Sequence, residues 1–142
     1  MSKILTKENI ILNASIKDKY EAIQKAGELL VQGGYVKEDY IAEMLKREEI
    51  STTFIGNDIA IPHGTESAKN DVLESGISVI QVPEGVDFNG NKARMIFGIA
   101  GKDNTHLDIL SNIAILCSDM ENVEKLVNAK TKEEIMTLLG GI

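Results

Sequence analysis

The sequence is poor in the features that mark several classes of protein. It contains a single cysteine, Cys117, so no disulfide can form within the chain, and its apolar helical surroundings favour a buried thiol. It has no uninterrupted run of about 18 apolar residues, the length that a membrane-spanning helix needs. The first residues also lack the long apolar core of a signal peptide. We therefore expect a protein of the reducing cytoplasm.

Positive charge is scarce as well. Lys and Arg total 15 against 22 Asp and Glu, which gives a formal net charge of −7. This balance argues against nucleic acid or an anionic membrane as the main partner. It suits a partner with a basic face, and it also keeps a small protein soluble. The length of 142 residues, 43% of them hydrophobic, predicts one domain over residues 1–142 with a single core.

Histidine is almost absent too, since the chain has only two. No cysteine or carboxylate cluster accompanies them at ligand spacing, so we expect neither a zinc or other metal site nor a bound cofactor. The first histidine, His63, follows the apolar stretch Ile59-Ala60-Ile61, which predicts a short buried strand. Pro62 keeps Ile61 extended, and Gly64 leaves room beside the imidazole.

An imidazole at such a strand end has two possible roles. It titrates near neutral pH and can act as a nucleophile through its unprotonated ring nitrogen. A lone histidine in a turn can equally be a polar loop residue. The local sequence around His63 is compatible with both.

The second histidine and one arginine are predicted at helix ends. His106 opens a helix whose buried face is predicted to contain Leu107, Leu110, Ile113, Ala114 and Cys117. A helix amino terminus favours a phosphate nearby, but a histidine there can also be an exposed polar residue. Arg47 follows a helix predicted over 37–46. It can bind phosphate with its planar fork or simply complement the helix dipole.

Hydrophobic periodicity gives the rest of the predicted architecture. Helices are predicted over 17–32, 37–46, from His106 onward, 121–127 and 131–139, and strands over 59–61, 77–82 and 93–100. Pro83-Glu84-Gly85 is interpreted as a turn, and Asn89-Gly90 as the tight turn of a hairpin. This order predicts an α/β sandwich with a central mixed β-sheet flanked by helices.

Five segments, taken in order, resemble one protein family. They are Arg47-Glu48-Glu49-Ile50-Ser51-Thr52-Thr53, Gly56 to Gly64, Val86-Asp87-Phe88-Asn89-Gly90, Gly98-Ile99-Ala100-Gly101 and His106-Leu107-Asp108-Ile109-Leu110. Together they resemble the enzyme IIA domains of the bacterial phosphoenolpyruvate-dependent sugar phosphotransferase system, specifically the mannitol type of the mannitol/fructose group. The likeness runs over essentially the whole chain.

The resemblance implies a phosphoryl relay. His63 would accept a phosphoryl group from the phosphohistidine of the small carrier HPr and pass it to a cysteine of a sugar-specific enzyme IIB. Arg47 and His106 could compensate the charge of the phosphoryl oxygens, and Thr52 or a neighbour could add a hydroxyl donor. The chain would meet the membrane only through a permease on other chains.

Three alternatives stay open at this stage. A fructose-type or nitrogen-regulatory enzyme IIA would use a related fold and the same histidine. A non-catalytic regulatory module would keep His63 but need not transfer its phosphoryl group onward. A hydrolase using His63, His106 and Asp108 is disfavoured, because the sequence offers no hydroxyl or thiol nucleophile motif with flanking glycines.

Overall fold

The computed structural model describes residues 4–140, apart from the side chain of Asn104. Its strands are β1 (Ile10–Ile11), β2 (Phe54–Gly56), β3 (Ile59–Ala60), β4 (Gly76–Phe88) and β5 (Asn91–Ala100). Its α-helices are α1 (Lys19–Gln32), α2 (Asp39–Ile50), α3 (His106–Leu116), α4 (Met120–Val127) and α5 (Lys132–Leu138). Short 3-10 turns occupy Lys7–Asn9, Glu66–Asp71 and Lys102–Asn104.

The strands form one mixed sheet in the order β1-β4-β5-β3-β2. The central pair, β4 and β5, is antiparallel, whereas β1 pairs with β4 and β3 pairs with β5 in parallel. β2 closes the other edge, antiparallel to β3. The predicted mixed sheet is confirmed.

Helices cover both faces of this sheet. α1 packs on β4 and β5 and against α2, and this side holds one hydrophobic cluster around Ile23, Leu30 and Phe88. α3 and α4 lie on the opposite face, over a second cluster around Phe97, Ile113 and Leu126. The predicted sandwich of helices about a central sheet is therefore confirmed, although its apolar interior is divided by the sheet into two clusters.

The bounds of α1 and α2 differ from the predicted ones, since α1 begins later and α2 ends later than expected. α1 begins at Lys19 because the Asp18 side chain caps it by accepting the Glu21 N–H at 2.9 Å. Tyr20 on this helix is half exposed, whereas the small residues Ala22 and Ala26 are fully buried. α2 continues to Ile50, so Arg47 lies inside its last turn rather than after its end.

One predicted turn is wrong. β4 runs without interruption through Pro83, Glu84 and Gly85 to Phe88, and the pairing with β5 only shifts its register between Gln81 and Val86. A bulge there absorbs the extra residues, with Gly85 at φ +83°. The hairpin at Asn89-Gly90 is confirmed, since Phe88 pairs with Asn91.

The predicted buried face of α3 is confirmed in part. Ile113 and Cys117 are buried as predicted, and Leu110 packs partly buried against the second cluster, whereas Leu107 is 57% exposed and Ala114 is exposed. Ile109, which was not predicted, is buried as well. The buried thiol is confirmed, and burial raises the pKa of Cys117 to about 11. Among residues 4–140, no helix has the length and apolar character needed to cross a membrane.

Candidate active site

His63 follows β3 and is held to the sheet by pairing with β5. β3 ends at Ala60, and the chain continues beside β5, where the Ile99 N–H donates to the Pro62 carbonyl at 2.9 Å. His63 itself pairs with Ile99 in an isolated parallel bridge. This pairing extends the sheet up to His63 and leaves its imidazole half-buried at the end of the strand.

A hydrogen bond determines which ring nitrogen of His63 carries the proton. Nδ1 lies 2.8 Å from the carbonyl oxygen of Ile61. A carbonyl can only accept, so Nδ1 is the protonated nitrogen that donates. In the neutral ring the lone pair is then on Nε2, for which residues 4–140 provide no hydrogen-bond partner.

The surroundings of His63 favour the neutral ring. Burial lowers its pKa below the usual value, and the charges of Arg47 and His106 lower it further. The Ile61 hydrogen bond and the Glu48 carboxylate oppose this shift. The net effect keeps the Nε2 lone pair available at neutral pH.

His106 faces His63 from the first turn of α3. The centroids of the two rings are 6.5 Å apart, and the ring planes are tilted by 31°. The backbone of His106 lies so close to Gly101 that a Cβ at Gly101 would fall 2.0 Å from the His106 nitrogen. Only glycine permits this approach, which brings the start of α3 to the carboxyl end of β5.

Arg47 lies in the last turn of α2, where one of its nitrogens, Nη1, donates to the Ser51 carbonyl at 2.8 Å and to the Ser51 hydroxyl at 3.1 Å. The arginine therefore caps its own helix, which is one of the two roles that the sequence left open. Its Nε and Nη2 donors have no partner within the described residues. Capping leaves two donors of the guanidinium group unbonded, so helix capping and phosphate binding are compatible.

The hydroxyl groups after Arg47 face different ways. The Thr52 hydroxyl accepts the Phe54 N–H at 3.2 Å, and Thr52 is not among the residues that line the site. Thr53 is buried and donates both its N–H and its hydroxyl to the Glu48 carboxylate. Ser51 is the hydroxyl residue of this segment that lines the cavity. Phosphate binding by Thr52 stays a prediction.

His63, His106 and Arg47 line one open cavity of about 1080 Å³. Lys46, Lys69 and Lys102 also line it, against the two acidic residues Glu66 and Asp103. The cavity is thus locally cationic in a chain whose net charge is −7. Such a site attracts a phosphoryl group or another small anion. The described residues contain no group of three or more His, Cys, Asp or Glu side chains placed to hold a metal ion.

Sequence reasoning missed two residues that build the site. The sequence offers no signal for Tyr40 beyond a buried helical position, but its hydroxyl reaches the His63 turn. Gly101 is singled out by the sequence only as the last residue of one family-like segment. The spacing of small residues in Gly98-Ile99-Ala100-Gly101 signals a close backbone approach, but no local pattern indicates what approaches.

The family model of the phosphoenolpyruvate-dependent sugar phosphotransferase system, EIIA 2, matches residues 3–141. The mannitol-specific phosphotransferase enzyme IIA component of Bacillus subtilis (strain 168) is 57% identical over 141 residues, which is 99% of either chain. The corresponding component of Geobacillus stearothermophilus is 55% identical and covers 98% of this chain and 97% of its own.

A solved structure agrees. The mannitol enzyme IIA from Escherichia coli, determined in complex with phosphorylated enzyme IIB, superimposes with a TM-score of 0.91 at 38% identity. The match covers 97% of this chain and 98% of that one. Sequence and structure together show that the chain belongs to the EIIA 2 family of the phosphoenolpyruvate-dependent sugar phosphotransferase system.

Proposed function

We propose that this chain relays a phosphoryl group from phospho-HPr to a mannitol-specific enzyme IIB, with Nε2 of His63 as the atom that carries it. The observation that carries this proposal is the hydrogen bond from Nδ1 of His63 to the Ile61 carbonyl, which leaves a lone pair on Nε2. A neutral imidazole in a cationic cavity is a competent nucleophile toward phosphorus.

Two displacements make up the relay. In the first, Nε2 of His63 attacks the phosphorus of phosphohistidine in HPr. The new N–P bond forms as the old one breaks, and the electron pair of the broken bond returns to the carrier imidazole. In the second, a cysteine thiolate of enzyme IIB attacks the same phosphorus, and the electron pair of the N–P bond returns to His63. No oxidant, reductant or water takes part in either step.

Arg47 and His106 stabilise the transferring group. Phosphoryl transfer needs positioning and charge compensation on the equatorial oxygens more than covalent help. The free Nε and Nη2 of Arg47 present a donor fork, and His106 contacts the site from a helix amino terminus. Ser51, or Thr52 beside it, supplies a hydroxyl donor from the same segment.

The rim of the cavity suits brief docking of two successive proteins. Ile50 is 70% exposed and Leu107 is 57% exposed, and both line the cavity mouth. Exposed apolar side chains beside a reactive group are typical of surfaces that bind partners. With HPr as its proposed donor, the relay works in the cytoplasm and reaches the membrane only through the permease that carries enzyme IIB.

Mannitol is the proposed branch because the relatives at 55–57% identity are mannitol-specific components. Reconstitution with phosphoenolpyruvate, enzyme I and HPr tests the relay. We expect an acid-labile phosphoryl label on this chain only when HPr is present. Added enzyme IIB proteins of the mannitol and fructose types then report the branch, and the mannitol type should discharge the label faster. A label that no enzyme IIB removes would favour a regulatory module instead.

A further inference from the structure

The hydroxyl of Tyr40 connects two parts of the active site that are far apart in sequence. It accepts the Gly64 N–H at 2.8 Å and donates to the Ile99 carbonyl at 2.8 Å. Gly64 directly follows His63, and Ile99 is the β5 residue that pairs with His63. One buried side chain of α2 thus holds the turn that carries His63 against the sheet.

The ring of Tyr40 contacts the same turn. A Cβ placed on Gly64 would lie 2.6 Å from Cε1 of Tyr40, well inside van der Waals contact. The space that glycine leaves at position 64 is therefore occupied by the ring of Tyr40. The side chain is 4% exposed, and burial raises its pKa to about 12. Its hydroxyl stays protonated at neutral pH and remains able to donate to Ile99.

Tyr40 and Arg47 share one face of α2. They are seven residues apart, which is nearly two full helical turns, so their side chains project in almost the same direction. Both line the cavity of His63. Any shift of α2 relative to the turn at His63 would therefore change the distance from Arg47 to the imidazole.

We propose that Tyr40 is a positioning residue whose hydroxyl sets the separation between Arg47 on α2 and His63 on the sheet, so that both meet the same phosphoryl group. This inference rests on the proposed function. It adds the requirement that the Tyr40 hydroxyl affects the rate of transfer by fixing the distance between Arg47 and His63.

Tyr40→Phe removes the hydroxyl and keeps the buried ring. We expect the maximal rate of phosphoryl transfer from phospho-HPr to fall on the order of 10-fold to 100-fold, as small misplacements of reacting groups do. The KM for phospho-HPr should stay unchanged, because the docking rim is untouched. The matched control is Tyr35→Phe, since the Tyr35 hydroxyl is also buried and accepts a hydrogen bond from Asn9 at 3.0 Å, away from the site. That control should transfer at the wild-type rate.

A readout that does not depend on transfer is the pKa of His63, measured by NMR titration of the imidazole. Arg47→Ala should raise this pKa, because it removes a nearby positive charge. If Tyr40 sets the separation, Arg47→Ala should raise it by less in the Tyr40→Phe background. An equal rise in both backgrounds overturns the inference, even if the protein proves to transfer nothing.

Hydrogen exchange of the Gly64 amide supplies a test that needs no variant. We expect this amide to be protected in the unmodified protein, and exchange at the rate of an unbonded amide overturns the inference. Transfer by Tyr40→Phe that matches Tyr35→Phe would do so as well. In that case wild-type transfer would continue, so the proposed function would stand while the role of Tyr40 fell.

Discussion

The two histidines of the site are held in different ways. His63 is fixed through its ring, because Nδ1 donates to the Ile61 carbonyl and its turn pairs with β5. His106 has no ring hydrogen bond within the described residues, and the fit of its backbone against Gly101 places it. A nucleophile needs a defined tautomer, whereas a group that stabilises charge needs only to be near. The contrast predicts that the two positions differ in their tolerance of substitution.

The largest expected effect is at His63. His63→Ala removes the only proposed phosphoryl acceptor, so labelling by phospho-HPr should be abolished. The measurement is acid-labile phosphate on the protein after incubation with phosphoenolpyruvate, enzyme I and HPr. His63→Gln is the matched control for ring volume and should fail as completely. Normal labelling of either variant, or a label on His106, would reverse the roles of the two histidines.

His106 should be important without being essential. His106→Ala should still be phosphorylated at His63, but more slowly by a factor on the order of 10²–10³, as for the loss of one preorganised donor. Stopped-flow transfer to and from HPr measures this factor. His106→Gln keeps a side-chain donor, so it should recover part of the rate. Wild-type rates for both variants in both directions would show that His106 takes no part in transfer.

Arg47 both caps its own helix and lines the cavity of His63. Arg47→Ala should slow transfer by a factor comparable to that of His106→Ala and lower the free energy of unfolding by only about 0.3–1 kcal/mol. Arg47→Lys keeps the charge and loses the planar fork, so its transfer rate should lie between those of the wild type and Arg47→Ala. Thermal unfolding and stopped-flow transfer on the same samples separate the two roles. A large loss of stability with normal transfer would make Arg47 a purely structural residue.

The smallest effect is a shift in the titration of His63. Its pKa is lowered from 6.5, first by burial and then by the charges of Arg47 and His106. Because this pKa is lowered, the imidazole should be mostly neutral at pH 6.5 and above and gain its proton at lower pH. Arg47→Ala and His106→Gln should each move the NMR titration midpoint upward, toward 6.5. A midpoint above 6.5 in the unmodified protein would contradict the neutral nucleophile.

The sequence predicts those parts of the molecule that local patterns encode. The hairpin at Asn89-Gly90 and the helix that begins at His106 both follow from turn chemistry and periodicity. The strand through Pro83 was missed, because a bulge allows proline and glycine inside a strand whose pairing is set by distant residues. The exposure of Leu107 was also missed, because periodicity assigns apolar residues to the buried face of a helix, whereas this one lies exposed at the cavity mouth.

The site shows the same division. His63, His106 and Arg47 were predicted from residue type and family likeness, and all three line the cavity. The hydroxyl that binds the Gly64 amide was not predicted, since Tyr40 fits a buried helical position equally well without a polar partner. Long-range hydrogen bonds of this kind join segments that no local pattern connects.

The position of the phosphoryl group on the His63 ring is the most direct test of the proposed relay. Nitrogen-15 NMR of the protein labelled in its histidines, recorded before and after reaction with phospho-HPr, distinguishes the two nitrogens. We predict a protonated Nδ1 on His63 in the free protein and a phosphoryl group on Nε2 after reaction. Phosphorylation at Nδ1 of His63, which would require the hydrogen bond to Ile61 to break, would contradict it.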